Sequence, residues 1–144
     1  MKVYNLAQIT RNLSVLLHSG MPINESLKAV VTSLQNEIYR RALKNLVKQI
    51  ETGESLASIL KTHQDLFPTM VVKMINVGEK SGQLEDILMY LANFYEEEVD
   101  NTTKNLSSVI EPLLLVVIGV IIGFVGLSII MPIYQITGSV SSIH

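Results

Sequence analysis

The chain has 144 residues, a net charge of −2, and neither cysteine nor tryptophan. This length is enough for one domain with a buried core, with or without an appended segment. The lack of cysteine excludes disulfides, thiolate metal sites and cysteine nucleophiles, and the small negative charge gives no general attraction to nucleic acid.

The first half of the chain reads as three helices separated by glycine-marked connections. Residues 4–19 place Leu and Ile side chains on one face at helical spacing, and Gly20 is expected as the C-cap. Asn24 is expected to cap the second helix, since asparagine is a favoured N-cap. The third helix is predicted over residues 38–51 and is expected to end at Gly53.

Three further helical segments follow. Ser55 is expected to cap a short helix over residues 56–60. Residues 69–77 are nearly all apolar and are predicted to form the central helix of a bundle. The segment Gly78–Gly82 is predicted to be a turn, after which a long helix begins near Leu84.

The charges divide the chain. Every Lys, Arg, Asp and Glu lies between Lys2 and Glu111, and none follows. No sustained alternation indicates a strand. The fold class predicted is therefore all-α: an antiparallel bundle of about six helices over residues 1–110, followed by one C-terminal transmembrane helix and a short tail over residues 111–144.

The transmembrane prediction depends on Leu113–Met131, which is 19 residues without a charge, amide or histidine. Such a helix would span roughly 28 Å, close to the ~30 Å hydrocarbon thickness of a bilayer. Pro112 is expected to begin it and Pro132 to end it. The alternative, a buried core helix of a soluble protein, normally keeps a polar stripe, whereas this segment has only Ser128.

Three glycines, Gly119, Gly123 and Gly126, form a small-residue ridge in this segment. Such ridges let membrane helices approach closely, although glycine is also simply common in transmembrane helices. Both interpretations stay open.

The orientation follows from the basic residues beside the span. Lys104 is the only basic residue near its N-terminal side, and the C-terminal tail has none. The positive-inside rule therefore predicts a cytoplasmic N-terminal bundle and a tail on the opposite side.

No pattern of residues indicates catalysis, a metal site or a cofactor. His18, His63 and His144 are scattered, and Glu96–Glu98 is interpreted as a solvated helix face. Residues 78–82 lack the order of a phosphate-binding loop. A membrane-anchored hydrolase would need a nucleophile or a metal cluster, and neither is found, so the prediction is a protein that is not an enzyme.

Nucleic acid is also excluded as a partner. A short basic stripe on the third helix is balanced by two glutamates: Arg40, Arg41, Lys44 and Lys48 against Glu37 and Glu51.

Several short motifs, taken in order, resemble the type II secretion F domain family. They are turns, a loop, the long helix and the two ends of the membrane segment: Leu16–Ile23, Gly53–Leu56, Phe67–Pro68, Val77–Leu84, Phe94–Val99, Ile110–Leu114 and Met131–Tyr134. The family includes the inner-membrane platform proteins of type IV pili, type II secretion and DNA-uptake pseudopili. The motifs extend over nearly the whole chain.

The resemblance implies a platform in the bacterial inner membrane. The expected partners are an assembly or retraction ATPase, pilin or pseudopilin transmembrane helices, other inner-membrane assembly components, lipid and further copies of the chain. Family members usually carry two copies of this domain and three membrane helices. This chain has one copy and one span, so it is expected to be a C-terminal half.

The candidate partner-binding residues are Glu79, Lys80 and Glu111. Glu79 and Lys80 lie in the predicted turn, where interaction residues are common, although Glu79 can instead cap a neighbouring helix. Glu111 adjoins the bilayer, where a carboxylate needs a partner. The resemblance implies the N-terminal amine of a pilin as that partner.

Gly20, Gly53, Gly78, Gly82, Pro112 and Pro132 are interpreted as architectural. The competing class is a generic tail-anchored helical adaptor or signalling protein, which composition and topology fit equally well.

Overall fold

The computed structural model describes residues 1–140 and contains six helices in that range: α1 (Lys2–His18), α2 (Ile23–Ser33), α3 (Glu37–Glu51), α4 (Leu56–Lys61), α5 (Thr69–Ser81) and α6 (Leu84–Val140). No strand occurs among these described residues, so the predicted all-α fold with about six helices is confirmed.

The chain divides into two compact units. The first is Met1–Asn101, and the second begins at Thr102. The boundary predicted after residue 110 rests on the charge distribution and stays a prediction, and residues 141–144 of the predicted second domain lie outside the described residues.

The core of the first unit is almost entirely aliphatic. All six helices contribute side chains with less than 2% of their surface exposed, including Leu6, Leu27, Leu43, Ile59, Val71 and Leu88. Complete burial of each such side chain stabilises the fold by about 1.5–3 kcal/mol. The helical period of the sequence therefore identifies the buried faces, because a helix that packs on one side must repeat its apolar residues every three or four positions.

Three helices end with a glycine in the left-handed conformation: Gly20 (φ +89°), Gly53 (φ +94°) and Gly82 (φ +71°). At the last of these, the Gln83 N–H donates to the Gly78 carbonyl at 2.9 Å, which satisfies an acceptor that the end of the helix would leave open. Only Gly82 and Gln83 separate α5 from α6.

The turn predicted over Gly78–Gly82 is wrong, because α5 continues to Ser81. Gly78 is a helical residue that α6 approaches closely. A Cβ atom added at Gly78 would lie 3.0 Å from Ile87 Cγ1 and 3.1 Å from Leu84 Cα. Gly78 therefore allows α5 and α6 to pack closely. Gly82 is the residue of this segment at which the chain reverses direction.

Two other local predictions also fail. Asn24 does not cap α2, because the helix begins at Ile23 with Pro22 as its N-cap, and the Asn24 Oδ1 atom is buried without a hydrogen-bond partner within residues 1–140. The helix predicted to be central, α5, leaves Met70 and Val77 exposed (40% and 59%) and buries one face only.

The long helix α6 carries the predicted membrane segment. Among the described residues it is the one helix long and apolar enough to cross a membrane, judged by length and composition, and none of its most apolar window is buried. Pro112 and Pro132 both lie inside the helix, so the prediction that they begin and end it is wrong. A proline removes one backbone hydrogen bond, but a helix can continue through that loss.

We expect Gly82→Val to lower the free energy of unfolding by about 1–2 kcal/mol, because a side chain in the left-handed region strains the backbone. No atom lies within 4 Å of a Cβ added at Gly82, so the cost isolates the backbone conformation. Thermal unfolding of the chain in nonionic detergent, followed by circular dichroism, measures it. Gly82→Asn is the matched control, since asparagine tolerates this conformation. Equal stability of the valine variant and the wild type would contradict the prediction.

We expect Ile121→Arg to raise the insertion free energy of the membrane segment by about 2.5–3.5 kcal/mol, because an arginine at the centre of a bilayer must be solvated there. Glycosylation mapping of the segment in microsomes measures insertion. Ile121→Leu is the control and should insert normally. If the arginine variant inserted as well as the control, the membrane interpretation would be wrong.

Candidate interaction surfaces

Glu79 joins the end of α5 to the beginning of α4. Its two carboxylate oxygens accept hydrogen bonds from the backbone N–H groups of Leu56 (3.0 Å) and Ala57 (2.6 Å). Ser55 completes this end of α4, since its Oγ accepts from the Ser58 N–H at 3.2 Å. The geometry is the capping arrangement that the sequence left open for Glu79. Its role in partner binding stays a prediction.

Lys80, the next residue, is exposed in the last turn of α5. A cation at a helix C-terminus interacts favourably with the helix dipole. Within residues 1–140 it forms no ion pair with a carboxylate. Of the two adjacent candidates, Lys80 is therefore the side chain with its charged group open to a partner.

A polar network that the sequence did not indicate connects α1 to α6. The Arg11 guanidinium donates to both carboxylate oxygens of Glu96 (2.7 and 2.6 Å) and to Asn93 Oδ1 (2.7 Å). The hydrogen bond from Arg11 lowers the pKa of the Glu96 carboxyl below its ordinary value. The stabilisation from this pair is thus present above the unfolded-state pKa and is lost as pH falls through the folded-state pKa.

Glu97 and Glu98 are exposed, as expected for a solvated helix face, whereas Glu96 is half-buried and pairs with Arg11. The signal available in the sequence was Arg11 itself, because α1 otherwise has only Lys2 and the terminal His18 as basic residues. An arginine in the middle of such a helix indicates a carboxylate partner, but the sequence does not say which one.

A second pair connects the same two helices at the C-terminal end of α1. His18 Nδ1 lies against Glu85 Oε1 in the first turn of α6. Across residues 1–140, no group of three or more His, Cys, Asp or Glu side chains is arranged to hold a metal ion.

The remaining candidates lie in the second unit. Glu111 is exposed on α6, directly before Pro112. A Cβ atom added at Gly119, Gly123 or Gly126 would meet no atom within 4 Å, so all three glycines are open. All four residues lie on α6.

Comparison with known families gives a match over most of the chain. The sequence model of the family described as "Type II secretion system (T2SS), protein F" matches residues 9–132. The match therefore includes the second half of α1, the whole of α2 to α5, and α6 through the apolar segment.

Individual relatives agree with this match. The chain is 33% identical over 131 residues to the type IV pilus assembly protein PilC of Pseudomonas aeruginosa, covering 91% of this chain and 35% of that protein. It is 34% identical over 136 residues to the PilC protein of Thermus thermophilus, covering 94% and 34%. It is 31% identical over 137 residues to the type II secretion system protein F of Aeromonas hydrophila, covering 95% and 35%.

The chain spans about a third of the length of these curated relatives. A family match over residues 9–132, together with relatives above 30% identity along nearly the whole chain, is far more than isolated turn motifs could give. The chain therefore belongs to the type II secretion system protein F family, which includes type IV pilus assembly proteins.

Proposed function

We propose that the chain is part of an inner-membrane platform protein that couples a cytoplasmic assembly or retraction ATPase to the polymerisation of pilins or pseudopilins. The observation that carries this proposal is the family match over residues 9–132, since it includes most of the helical unit and the apolar segment. Relatives named for type IV pilus assembly and for type II secretion support the same class of machinery.

The proposal assigns no catalytic step to the chain. Its work is mechanical: motion of the ATPase turns or shifts the helical unit, and the membrane segment passes that movement to pilin helices. Such a role needs a rigid unit and surfaces that bind partners. The enclosed aliphatic core and the Glu79 cap supply the rigidity.

The proposed location is the bacterial inner membrane, with the first unit in the cytoplasm and the C-terminal tail on the opposite side. Lys104 precedes the apolar segment, and no lysine or arginine follows it. The positive-inside rule favours this orientation. A cytoplasmic unit is also where a soluble ATPase can reach Lys80.

Three kinds of contact are proposed within this framework. Lys80, with Glu79 beside it, contacts the ATPase through its open ammonium group. Glu111, at the start of the apolar segment, binds the N-terminal amine of a pilin, because a carboxylate at the membrane boundary is stabilised by a cationic partner. The glycine ridge packs against a pilin transmembrane helix or another copy of the chain.

A generic tail-anchored adaptor would share the composition and the topology of this chain. However, an unrelated adaptor would not be expected to match a pilus and secretion family over residues 9–132. The family match therefore favours the platform, and no separate observation favours the adaptor.

We expect Lys80→Ala to reduce both the ATPase recovered with the protein and the number of assembled pili or the amount of secreted substrate. Its free energy of unfolding should stay within about 0.5 kcal/mol of the wild type, because Lys80 is exposed. Affinity purification from cells at equal protein level, with thermal unfolding in detergent, gives both quantities. Lys73→Ala, an exposed lysine on the same helix, is the matched control. Normal assembly in a stable Lys80→Ala variant would count against the contact.

The Glu79→Ala variant distinguishes a role of Glu79 in capping α4 from a role in binding a partner. Loss of the two hydrogen bonds to α4 should lower the free energy of unfolding by about 0.5–2 kcal/mol. If Glu79 only caps α4, the loss of assembly should follow the loss of folded protein. A loss of assembly well beyond that would show that Glu79 also binds a partner.

We expect Gly123→Leu to weaken association of the membrane segment with a pilin helix or with a second copy, because the two backbones can no longer approach closely. The free space around Gly123 means that leucine should not disturb α6 itself. A bacterial membrane two-hybrid assay measures the association, and Ile122→Leu is the control. An unchanged signal for Gly123→Leu would mean that the glycines have no packing role.

A further inference from the structure

A groove of about 530 Å³ lies between α2 and α3 in the first unit. Its apolar floor includes Val31 and Val47, which are 7% and 8% exposed. Lys28 borders it on α2, and Lys44 and Lys48 border it on α3. The groove therefore combines an apolar base with a cationic rim.

Part of this rim is already neutralised. The Lys28 ammonium forms an ion pair with Glu51 at 2.6 Å, and the Arg41 guanidinium forms one with Glu37 at 3.2 Å. The bond from Arg41, together with the charge of Arg40, lowers the pKa of the Glu37 carboxyl. Both acidic side chains of α3, Glu37 and Glu51, are therefore already in ion pairs, one at each end of the helix.

Lys44 and Lys48 have no such partner. Both are exposed, and neither forms an ion pair with a carboxylate within residues 1–140. They lie one helical turn apart, where the Cβ atoms of two residues are about 5–6 Å apart and like charges destabilise the helix. A carboxylate between the two ammonium groups would relieve that repulsion.

We propose that the α2–α3 groove docks an acidic segment of a protein partner, whose apolar side chains lie on Val31 and Val47 and whose carboxylates pair with Lys44 and Lys48. A protein segment that carries both apolar and acidic side chains complements the apolar base and the cationic rim together. Nucleic acid is disfavoured because two lysines one helical turn apart are too short a basic stripe to follow a phosphate backbone. The inference does not depend on the proposed platform function.

The test uses the full chain in nonionic detergent micelles and a fluorescein-labelled helical peptide with a leucine stripe flanked by glutamates. A reference peptide carries glutamine at each glutamate position. Fluorescence anisotropy should show binding of the glutamate peptide and much weaker binding of the glutamine peptide. The double variant Lys44→Ala/Lys48→Ala should bind the glutamate peptide about tenfold more weakly, as expected for the loss of two exposed ion pairs.

The matched control is Lys61→Ala/Lys73→Ala, which removes the same charge from exposed lysines bordering a different groove, between α4 and α5. It should keep the affinity of the wild type within about twofold. Equal weakening in both double variants would mean non-specific attraction and would overturn the proposal. Circular dichroism checks that all variants keep their helices.

A charge reversal gives an independent test. The double variant Lys44→Glu/Lys48→Glu should no longer bind the glutamate peptide and should instead bind a peptide with lysine at the same positions.

Two other occupants of the groove are distinguished in parallel. Binding to phosphatidylglycerol vesicles that depends on Lys44 and Lys48, without peptide binding, would assign the groove to anionic lipid. Self-association that depends on them, again without peptide binding, would assign it to a second copy. Either result would overturn the proposal.

Discussion

The close approach of α5 and α6 at Gly78 constrains the second half of the helical unit. A Cβ atom at position 78 would lie 3.0 Å from Ile87 Cγ1 and 3.1 Å from Leu84 Cα, so a larger residue would force these neighbours to shift. The next residue, Glu79, accepts hydrogen bonds from the first N–H groups of α4. Two adjacent positions on α5 therefore connect it to α6 and to α4.

The hydrophobic period of the sequence predicts the number of helices, their order and most of their buried faces. Prediction from the sequence fails where the same residue type serves two different structural roles. Gly78 and Gly82 look alike in sequence, yet one permits close packing within a helix and the other adopts a positive φ. Asn24 has the chemistry of an N-cap, but Pro22 precedes it and starts the helix earlier. The distinction between the two glycines depends on how α6 packs against α5, which a single sequence does not show.

The same limit applies to the candidate interaction residues. Glu79 was identified from its position in a glycine-rich segment, but its bonds to α4 come from a helix more than 20 residues away. The pair between Arg11 and Glu96 joins residues 85 positions apart. Charge spacing along one helix, as for Lys44 and Lys48, can be read from the sequence. The groove beside them, and the absence of carboxylates that would neutralise them within residues 1–140, become visible only when α2 lies against α3.

The position of the core relative to the apolar segment has a consequence for the order of events during synthesis. Tyr95 is the last buried side chain of α6, and Leu113 follows 18 positions later. A ribosome adding about 5–20 residues per second needs about 1–4 seconds for that interval. Small helical domains fold in microseconds to milliseconds. The membrane segment therefore emerges attached to a unit that has already folded. A substitution that slows or weakens the core would leave its leucines exposed alongside that segment, and the exposed apolar surface would favour aggregation of the nascent chain.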